Sequence, residues 1–295
     1  MSRTTILALV IATAVVGNAK AQRQAESSEF KAGEMGLSNV MLHRNIDCYR
    51  ITTPNATYDL DKVGAGLASM IDRDGNDWIG FHPESGSGAA GEYRGFPNAV
   101  FKQAGSYFHA RNSGTDPCET KIEESSPDRI VISAVAENGL WAGHYTFTPT
   151  ACTFTMTKMP KGHSYWVLYE GTPGGSYDDS DWWMTAADEK KHPLTKNFEG
   201  DLAGGNGDGE WIAFGDKLEP RMLVLSHAED DSHPDRFYQM EKKMTVFGFG
   251  RAGMKKYLRS VPQSFSIGFV ESTEQAAAAQ FAENMTLALS PPKLP

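Results

Sequence analysis

The sequence predicts an all-β protein built as an antiparallel β-sandwich, and three features indicate this fold class. Short runs rich in Ile, Val, Tyr, Phe and Trp recur along the chain, separated by Gly, Pro, Asn or Asp. In residues 129–136 both alternating faces are fairly apolar, as in a sheet covered by a second sheet. No fixed-period repeat and no obvious linker divides these runs. We therefore expect a single β-sandwich domain over residues 39–295.

The first 38 residues are expected to lie outside this domain. Residues 1–21 combine Arg3, an apolar run over 6–16 and the triplet Ala19-Lys20-Ala21. This pattern is typical of a secretory signal peptide and is too short for a membrane span. Residues 22–38 are polar and predict a disordered leader. The sequence thus predicts a secreted or periplasmic protein with no membrane span.

The predicted strands follow one another through short turns. They cover residues 48–52, 57–60, 66–71, 77–81, 99–101, 106–110, 121–123, 129–136, 140–147, 152–157, 163–170, 211–214, 222–226, 236–241, 245–249 and 264–270. The Asp-Gly pair at 74–75 marks a hairpin, because it tolerates the positive φ of tight turns. The acids of 72–76 resemble a calcium loop, but no bidentate acid follows, so a turn is preferred. Ser272 with Gln275 forms a capping box, which predicts a helix from about residue 273 to 285.

The net charge limits the classes of binding partner, and the cysteine content limits the number of disulfides. Loss of Arg3 and Lys20 with the signal peptide leaves 26 basic against 37 acidic residues, a formal net charge of −11. This argues against nucleic acid or an anionic membrane surface as a partner. The three cysteines, Cys48, Cys118 and Cys152, allow one disulfide. Cys118 with Cys152 is the preferred pair, because both flank one predicted meander.

The stretch Gly91 to Asn98 is the first candidate for a functional site. Glu92, Tyr93, Arg94 and Asn98 bring an acid, a phenol, a guanidinium and a carboxamide into eight residues. Its glycines and proline disfavour a helix or a central strand, so we expect a loop. Loops on a rigid scaffold carry many binding groups, and we interpret this one as a wall of a site. The alternative is a surface turn in which Arg94 and Glu92 pair in solvent.

A second group of candidates lies on the predicted strands 163–170 and 106–110. Alternation places His163, Tyr165, Val167 and Tyr169 on one face of this strand. A face with a histidine and two tyrosines is unusual for a core strand. The opposite face carries Trp166 and Glu170. His109, on the predicted strand 106–110, is a further candidate base.

Several kinds of chemistry are not indicated. The chain has no G-x-S-x-G elbow and no Lys-Ser/Thr after its densest glycine run, 204–209. Acidic and histidine clusters at 178–181 and 227–235 could ligate a metal, but they occur as readily in solvated turns. We expect no metal and no other cofactor. Four tryptophans offer flat faces that can stack on sugar rings or pack in the core: Trp166, Trp182, Trp183 and Trp211.

Residues 57–81 carry a resemblance to a known fold. The phrase Gly64-Ala-Gly-Leu-Ala-Ser-Met-Ile-Asp-Arg-Asp-Gly75 resembles the opening strands of galactose-mutarotase-like domains. The resemblance implies an antiparallel β-supersandwich, here with a short C-terminal helix. Sugar epimerases, glycoside hydrolases and polysaccharide lyases share that fold, so it implies a carbohydrate-active protein without deciding the reaction.

Among these activities the residues best suit a polysaccharide lyase that cleaves a uronic-acid-containing polysaccharide or oligosaccharide by β-elimination. Arg94 and Asn98 would neutralise the substrate carboxylate, and a tyrosine or histidine would remove the C5 proton. The candidate acids and bases are Tyr93, Tyr165, His109 and His163. The candidate substrate-binding residues are Glu92, Trp166, Glu170, Trp182 and Arg236.

Three other functions stay open on the sequence alone. A glycoside hydrolase would use two carboxylates, for which Glu92 and Glu170 are the pair. A sugar epimerase would need a histidine and a glutamate but no carboxylate clamp. A binding protein without catalysis would depend on Trp182 and Trp183 rather than on Tyr93 and His163.

Overall fold

The structure is a computed structural model that describes residues 34–42, 45–82, 93–98, 106–111, 114–196, 198–202, 210–229 and 233–289. The predicted signal peptide lies outside the described residues, as do Glu92 and the predicted strand 99–101. The first strand begins at Gly36, within the interval 22–38 that the sequence predicts to be a leader.

The described residues form nineteen strands and one α-helix. In chain order the strands are β1 Gly36–Leu42, β2 Ile46–Thr52, β3 Thr57–Asp61, β4 Leu67–Ile71, β5 Cys118–Ser125, β6 Ile130–Ala136, β7 Ala142–Phe147, β8 Cys152–Lys158, β9 Val167–Gly171, β10 Asp181–Thr185, β11 Asp188–Pro193, β12 Glu199–Leu202, β13 Glu210–Asp216, β14 Met222–His227, β15 Asp235–Met240, β16 Met244–Phe249, β17 Arg251–Ala252, β18 Lys255–Lys256 and β19 Gln263–Val270. The helix, α1, spans Gln275–Leu289. This confirms the predicted all-β class with a C-terminal helix.

Three larger sheets carry the fold. Sheet I has the order β1-β2-β3-β4, sheet II the order β11-β10-β13-β14-β19-β8-β7-β6-β5, and sheet III the order β12-β15-β16-β9. Every strand pair within them is antiparallel. In sheet II the late strand β19 lies between β14 and β8, so it joins two groups of strands.

Residues 93–98, here called the linking segment, join sheets I and III. The Leu67 amide donates to the Phe96 carbonyl at 2.7 Å, and Gly95 exchanges both backbone hydrogen bonds with Glu170, at 2.9 and 3.0 Å. The Pro97 carbonyl accepts from Leu168 at 2.8 Å. These contacts are isolated bridges and the segment forms no strand, so the predicted loop is confirmed, although it lies between two sheets. Proline is tolerated because the contact with β9 uses its carbonyl and needs no N–H group.

The core lies between sheet II and the surface that sheets I and III form together. Tyr58 of sheet I packs against Phe147 of sheet II with ring centroids 5.4 Å apart. On the other side of the linking segment, Phe214 of sheet II contacts Tyr169 at 5.6 Å and Phe247 at 6.5 Å. Aromatic pairs therefore bridge both halves of the sandwich, as expected for facing apolar surfaces.

Helix α1 covers part of the outer face of sheet II. Its residues Ala278, Phe281 and Ala282 pack against an apolar cluster that includes Trp182 and Val224. This explains why β13 and β14 are buried at every position. In β6, away from the helix, burial alternates and Val135 is 40% exposed. The expectation that both faces of 129–136 are covered is therefore wrong.

Several predicted strand assignments differ from the structure. Residues 77–81 form only an isolated bridge between Asp77 and Ile71, because the Asp77 carboxylate accepts three backbone amides and closes a turn. Residues 106–110 form no strand, and 163–166 precede β9. The sequence did not predict β10, which is buried at every position, or β11 and β12, whose charged residues follow no clear alternation. No described helix is long and apolar enough to span a membrane.

The expected disulfide between Cys118 and Cys152 is not formed. All three cysteines are free and buried. Cys118 lies in β5 and Cys152 in β8, with two strands between them in sheet II. Three strand spacings correspond to roughly 14 Å, far beyond the Cα separation that a disulfide allows.

Candidate functional site

Glu170 lies at the centre of the candidate site because of its place in sheet III. It pairs with Gly95 on one side and with Val246 on the other, and Val246 pairs with Tyr238. Partners in register share a face, so Glu170, Val246 and Tyr238 lie together on the face of sheet III opposite to Tyr169 and the core.

The linking segment holds the Glu170 carboxyl group in place. The Asn98 side-chain amide donates to Glu170 Oε2 and to the backbone carbonyl of Tyr93. Glu170 is only 4% exposed. Burial raises the pKa of Glu170 to about 8, although the positive charge of Arg251 opposes this shift. At neutral pH the Glu170 side chain is therefore mostly a carboxylic acid that can donate a proton.

His109 supplies a second titratable group with the opposite shift. Its Nδ1 lies against the Ala110 carbonyl, which selects the tautomer with the proton on Nδ1. Its Nε2 is buried and forms no hydrogen bond with any residue that the structure describes. Burial lowers the pKa of His109 to about 4, while the carbonyls of Ala110 and Tyr93 oppose the shift. The ring is therefore uncharged at neutral pH, with Nε2 unprotonated in this tautomer.

Gly95 marks the place where these groups meet. A Cβ atom added to Gly95 would lie 3.8 Å from Asn98 Cβ and 3.9 Å from His109 Cδ2. The backbone of Gly95 is also the partner of Glu170. The structure therefore brings together three of the predicted site residues, Asn98, His109 and Glu170, around one short segment.

Arg251 adds a buried cation to this face of sheet III. Its side chain crosses Gly248, where an added Cβ would lie 3.2 Å from Arg251 Cβ. The guanidinium lies 4.6 Å from the Trp166 ring centroid and 5.0 Å from that of Tyr238. The positive charge is close enough to Glu170 to affect its pKa. Arg251 and Tyr238 thus lie near the Glu170 carboxyl group, and the predicted Trp166 stacks on Arg251.

Other predicted catalytic residues lie in different surroundings. The Arg94 guanidinium donates to the carbonyls of Gly80 at 3.4 Å and Lys243 at 3.2 Å, and burial lowers its pKa. Arg94 is therefore engaged by backbone oxygens rather than held as a clamp beside Asn98. Tyr93 contributes its backbone carbonyl, while its side chain is 43% exposed.

The strand that was expected to display His163 and Tyr165 does not place them beside Glu170. The Tyr165 hydroxyl donates to the Ser260 carbonyl at 3.0 Å. The His163 ring packs edge-on against Trp141, with centroids 6.1 Å apart. Residues 163–166 precede β9 and are not part of a strand. The predicted alternation, which put His163 and Tyr165 on the same face as Val167, therefore does not apply to them.

The predicted substrate-binding residues also separate. Trp182 packs in the cluster below α1, and Lys191 Nζ lies 4.6 Å from its ring centroid, so it is not a free stacking surface. Trp166, Trp183 and Trp211 are buried as well. Arg236 lies on the same face as Glu170 and forms ion pairs with Glu199 at 3.2 Å and Asp201 at 3.4 Å.

The cluster at 227–235 does not gather around His227. Glu210 Oε2 lies 3.1 Å from His227 Nδ1, and Gln263 Oε1 contacts Nε2, so both ring nitrogens are already engaged. Asp230 and Asp231 lie outside the described residues.

Sequence reasoning missed Arg251 and Tyr238. The available signal was Gly248 and Gly250, which lie three residues and one residue before Arg251. Glycines allow a long side chain to cross close to the backbone.

Comparison with solved structures identifies the fold. The chain is similar to a candidate aldose 1-epimerase from Klebsiella pneumoniae subsp. pneumoniae, with 12% identity and a TM-score of 0.53 over 92% of this chain and 91% of that one. It is also similar to the protein HI1317, with 12% identity and a TM-score of 0.53 over 80% of this chain and 100% of that one. No protein-family model and no curated protein sequence matches. The chain thus has the galactose-mutarotase-like fold.

Proposed function

We propose that this protein is a carbohydrate-active enzyme that interconverts the anomers of a sugar, the reaction of an aldose 1-epimerase. The observation that carries the proposal is the buried pair Glu170 and His109, whose pKa values are shifted in opposite directions around the linking segment. Such a pair supplies an acid and a base at the same pH.

The chemistry of anomer exchange needs these two groups and no cofactor. A base removes the proton of the anomeric hydroxyl while an acid protonates the ring oxygen, so that the ring opens, and reclosure on the other face gives the second anomer. Neutral His109 would accept the proton at Nε2 and protonated Glu170 would donate one. Asn98 would keep the Glu170 carboxyl group oriented.

The name of the Klebsiella protein supports the same reaction class, and the sequence already included an epimerase among its alternatives. We also propose that the protein is exported, and the argument for export is the predicted signal peptide over residues 1–21.

Freshly dissolved α-galactose and α-glucose would test the proposal by polarimetry. The protein should accelerate the approach to the equilibrium rotation, and Glu170→Gln should reduce the enzymatic rate by about 10²- to 10⁴-fold, the usual contribution of a general acid or base. Gln keeps an oxygen for the Asn98 amide but has no transferable proton. His109→Gln should cause a loss of similar size.

The matched controls are Glu124→Gln and His144→Gln, which lie on sheet II and remove one group of each kind. Both should keep the parental rate. Loss of activity in Glu170→Gln counts only if circular dichroism shows an unchanged fold. A folded Glu170→Gln protein with more than a tenth of the parental rate would refute the proposed acid.

A polysaccharide lyase is the second candidate, because Arg251 places a buried cation where a uronate carboxylate could be neutralised. Elimination leaves a conjugated unsaturated uronate. A rise in ultraviolet absorbance with uronate polymers, without acceleration of anomer exchange, would favour the lyase. The opposite result would favour the epimerase.

A further inference from the structure

Three carboxylates converge where β13 ends and β10 begins. Asp181 and Asp216 are register partners on these strands, and Asp178 lies just before β10. One oxygen of each side chain lies within 4.8 Å of the others. Asp181 is 1% and Asp216 5% exposed, whereas Asp178 faces solvent. Two buried carboxylates at this distance repel each other unless a cation binds or one of them takes up a proton.

The hydrogen bonds of the cluster leave one oxygen unsatisfied. Asp216 Oδ1 accepts from the Ser180 hydroxyl at 2.8 Å and the Leu218 amide at 2.7 Å. Asp181 Oδ2 accepts the Asp178 amide at 3.1 Å. Asp181 Oδ1 is buried and accepts no hydrogen bond from any described residue. A buried carboxylate oxygen without a donor is costly, so this atom indicates a missing partner.

Among the described residues, no side chain supplies such a charge through an ion pair. Within the described part of the chain, no Lys, Arg or His side chain forms an ion pair with Asp178, Asp181 or Asp216. Lys217 follows Asp216 directly, and its backbone amide donates to the Ser180 carbonyl. A bound cation would satisfy Asp181 Oδ1 and remove the repulsion at once.

We propose that Asp178, Asp181 and Asp216 bind a calcium ion. Oxygen ligands with several negative charges select hard cations. Oxygens that share a Ca²⁺ ion can be up to about 5 Å apart, whereas around Mg²⁺ they are at most about 4.2 Å apart, from the respective metal–oxygen distances. The three ligand atoms lie within 4.8 Å of one another, a separation that a calcium ion can span without movement of the strands.

The position of the site points to a structural role. A short 3₁₀ turn, Pro173–Gly175, leads the chain out of β9, and a Cβ added to Gly174 would lie 2.6 Å from Asp216 Oδ2. The turn from sheet III therefore packs directly on a ligand from sheet II. A bound ion would fix the junction between these sheets. It would have no role in the proposed anomer exchange.

Calcium binding can be measured on the full chain after treatment with a chelator. Isothermal titration with CaCl₂ should give one site per chain with Kd between about 10⁻⁶ and 10⁻³ M. At calcium 100-fold above Kd the melting temperature should rise by about 5 to 10 °C. Terbium should show luminescence sensitised by Trp182, the residue next to Asp181, and calcium should displace it.

The variant Asp181→Asn should weaken calcium binding at least about tenfold, because affinity follows the number of charged ligands. Asp179→Asn is the matched control: Asp179 is exposed, bonds to the Thr195 hydroxyl and lies outside the cluster. It should bind calcium like the parent. If Asp181→Asn does not fold, Asp216→Asn provides the same test.

Two results would overturn the proposal. One is a parent protein that shows neither heat of calcium binding nor terbium luminescence. The ion concentration in that experiment must reach 10-fold above the upper limit expected for Kd, about 10⁻³ M. The other is equal affinity in the parent and in a folded Asp181→Asn or Asp216→Asn protein. Tighter binding of Mg²⁺ than of Ca²⁺ would refute the choice of ion.

Discussion

At the scale of single residues, burial separates two ordinary side chains into an acid and a base. Glu170 and His109 would titrate about two pH units apart in water, with the carboxyl group ionising first. In the folded protein the order is reversed, because burial disfavours the charged form of each. The neutral pair is the reactive form for anomer exchange.

The pH dependence of anomer exchange follows from this reversal. The rate per enzyme should be highest between about pH 4 and pH 8, where His109 is unprotonated and Glu170 is protonated. It should fall above pH 8 as Glu170 ionises and below pH 4 as His109 gains a proton. Polarimetry of kcat/KM over pH 3.5 to 9.5, after subtraction of the spontaneous rate, checks the expectation. A maximum confined to the region above pH 8 would contradict it.

The sequence could indicate Asn98, His109 and Glu170 as site residues because each is a polar side chain in an unusual context. Their meeting could not be predicted, since it depends on backbone bonds between Gly95 and Glu170, which are far apart in sequence. Arg251 escaped notice because its role follows from crossing Gly248 and stacking on Trp166, a contact that exists only in the folded sheet.

At the scale of elements, α1 depends on a close approach to β19. A Cβ added to Gly268 would lie 2.7 Å from Phe281 Cε2, so the glycine allows the phenyl ring to rest on the strand. The predicted helix, from about residue 273 to 285, had the right type and place, since its alanine-rich run is a local signal. The predicted capping box is not formed, because the Gln275 side chain donates to the Thr185 carbonyl instead. The sequence did not predict β10 to β12, because their identity depends on neighbours in sheets II and III.

Removal of the Phe281 ring should destabilise the protein. Phe281→Ala should lower the free energy of unfolding by about 3 to 5 kcal/mol, as for other buried phenylalanines replaced by alanine. Leu287→Ala, on the same helix but 62% exposed, should change it by less than about 1 kcal/mol. Urea denaturation followed by circular dichroism provides the comparison. Similar losses in both variants would show that α1 does not dock through Phe281.

At the scale of the whole molecule, Arg221 connects sheets I and II. Its buried guanidinium lies 3.0 Å from Asp72 and 2.8 Å from Asp74, in the turn after β4, and 3.3 Å from Glu271, which follows β19. The Asp72 side chain is fully buried and also accepts from Trp78 Nε1 at 2.9 Å. One cation therefore neutralises acids from two sheets.

Loss of this cation should cost more than its hydrogen bonds alone, since Asp72 would remain buried without a counter-charge. We expect Arg221→Met to lower the free energy of unfolding by about 3 kcal/mol at pH 7. Arg129→Met removes a half-exposed arginine that pairs with Glu124 and should change it by less than about 1 kcal/mol. Urea titration measures both. An equally small effect in Arg221→Met would refute the connecting role.

The central place of β19 in sheet II has a consequence for how the protein is made. Strands β5 to β8 pair among themselves, as do β10, β11, β13 and β14, but only β19 joins the two groups. A ribosome synthesises β19 after all of them. Until β19 has emerged, the earlier strands of sheet II must therefore remain in two separate groups, and newly made chains would expose two unpaired strand edges, on β14 and on β8.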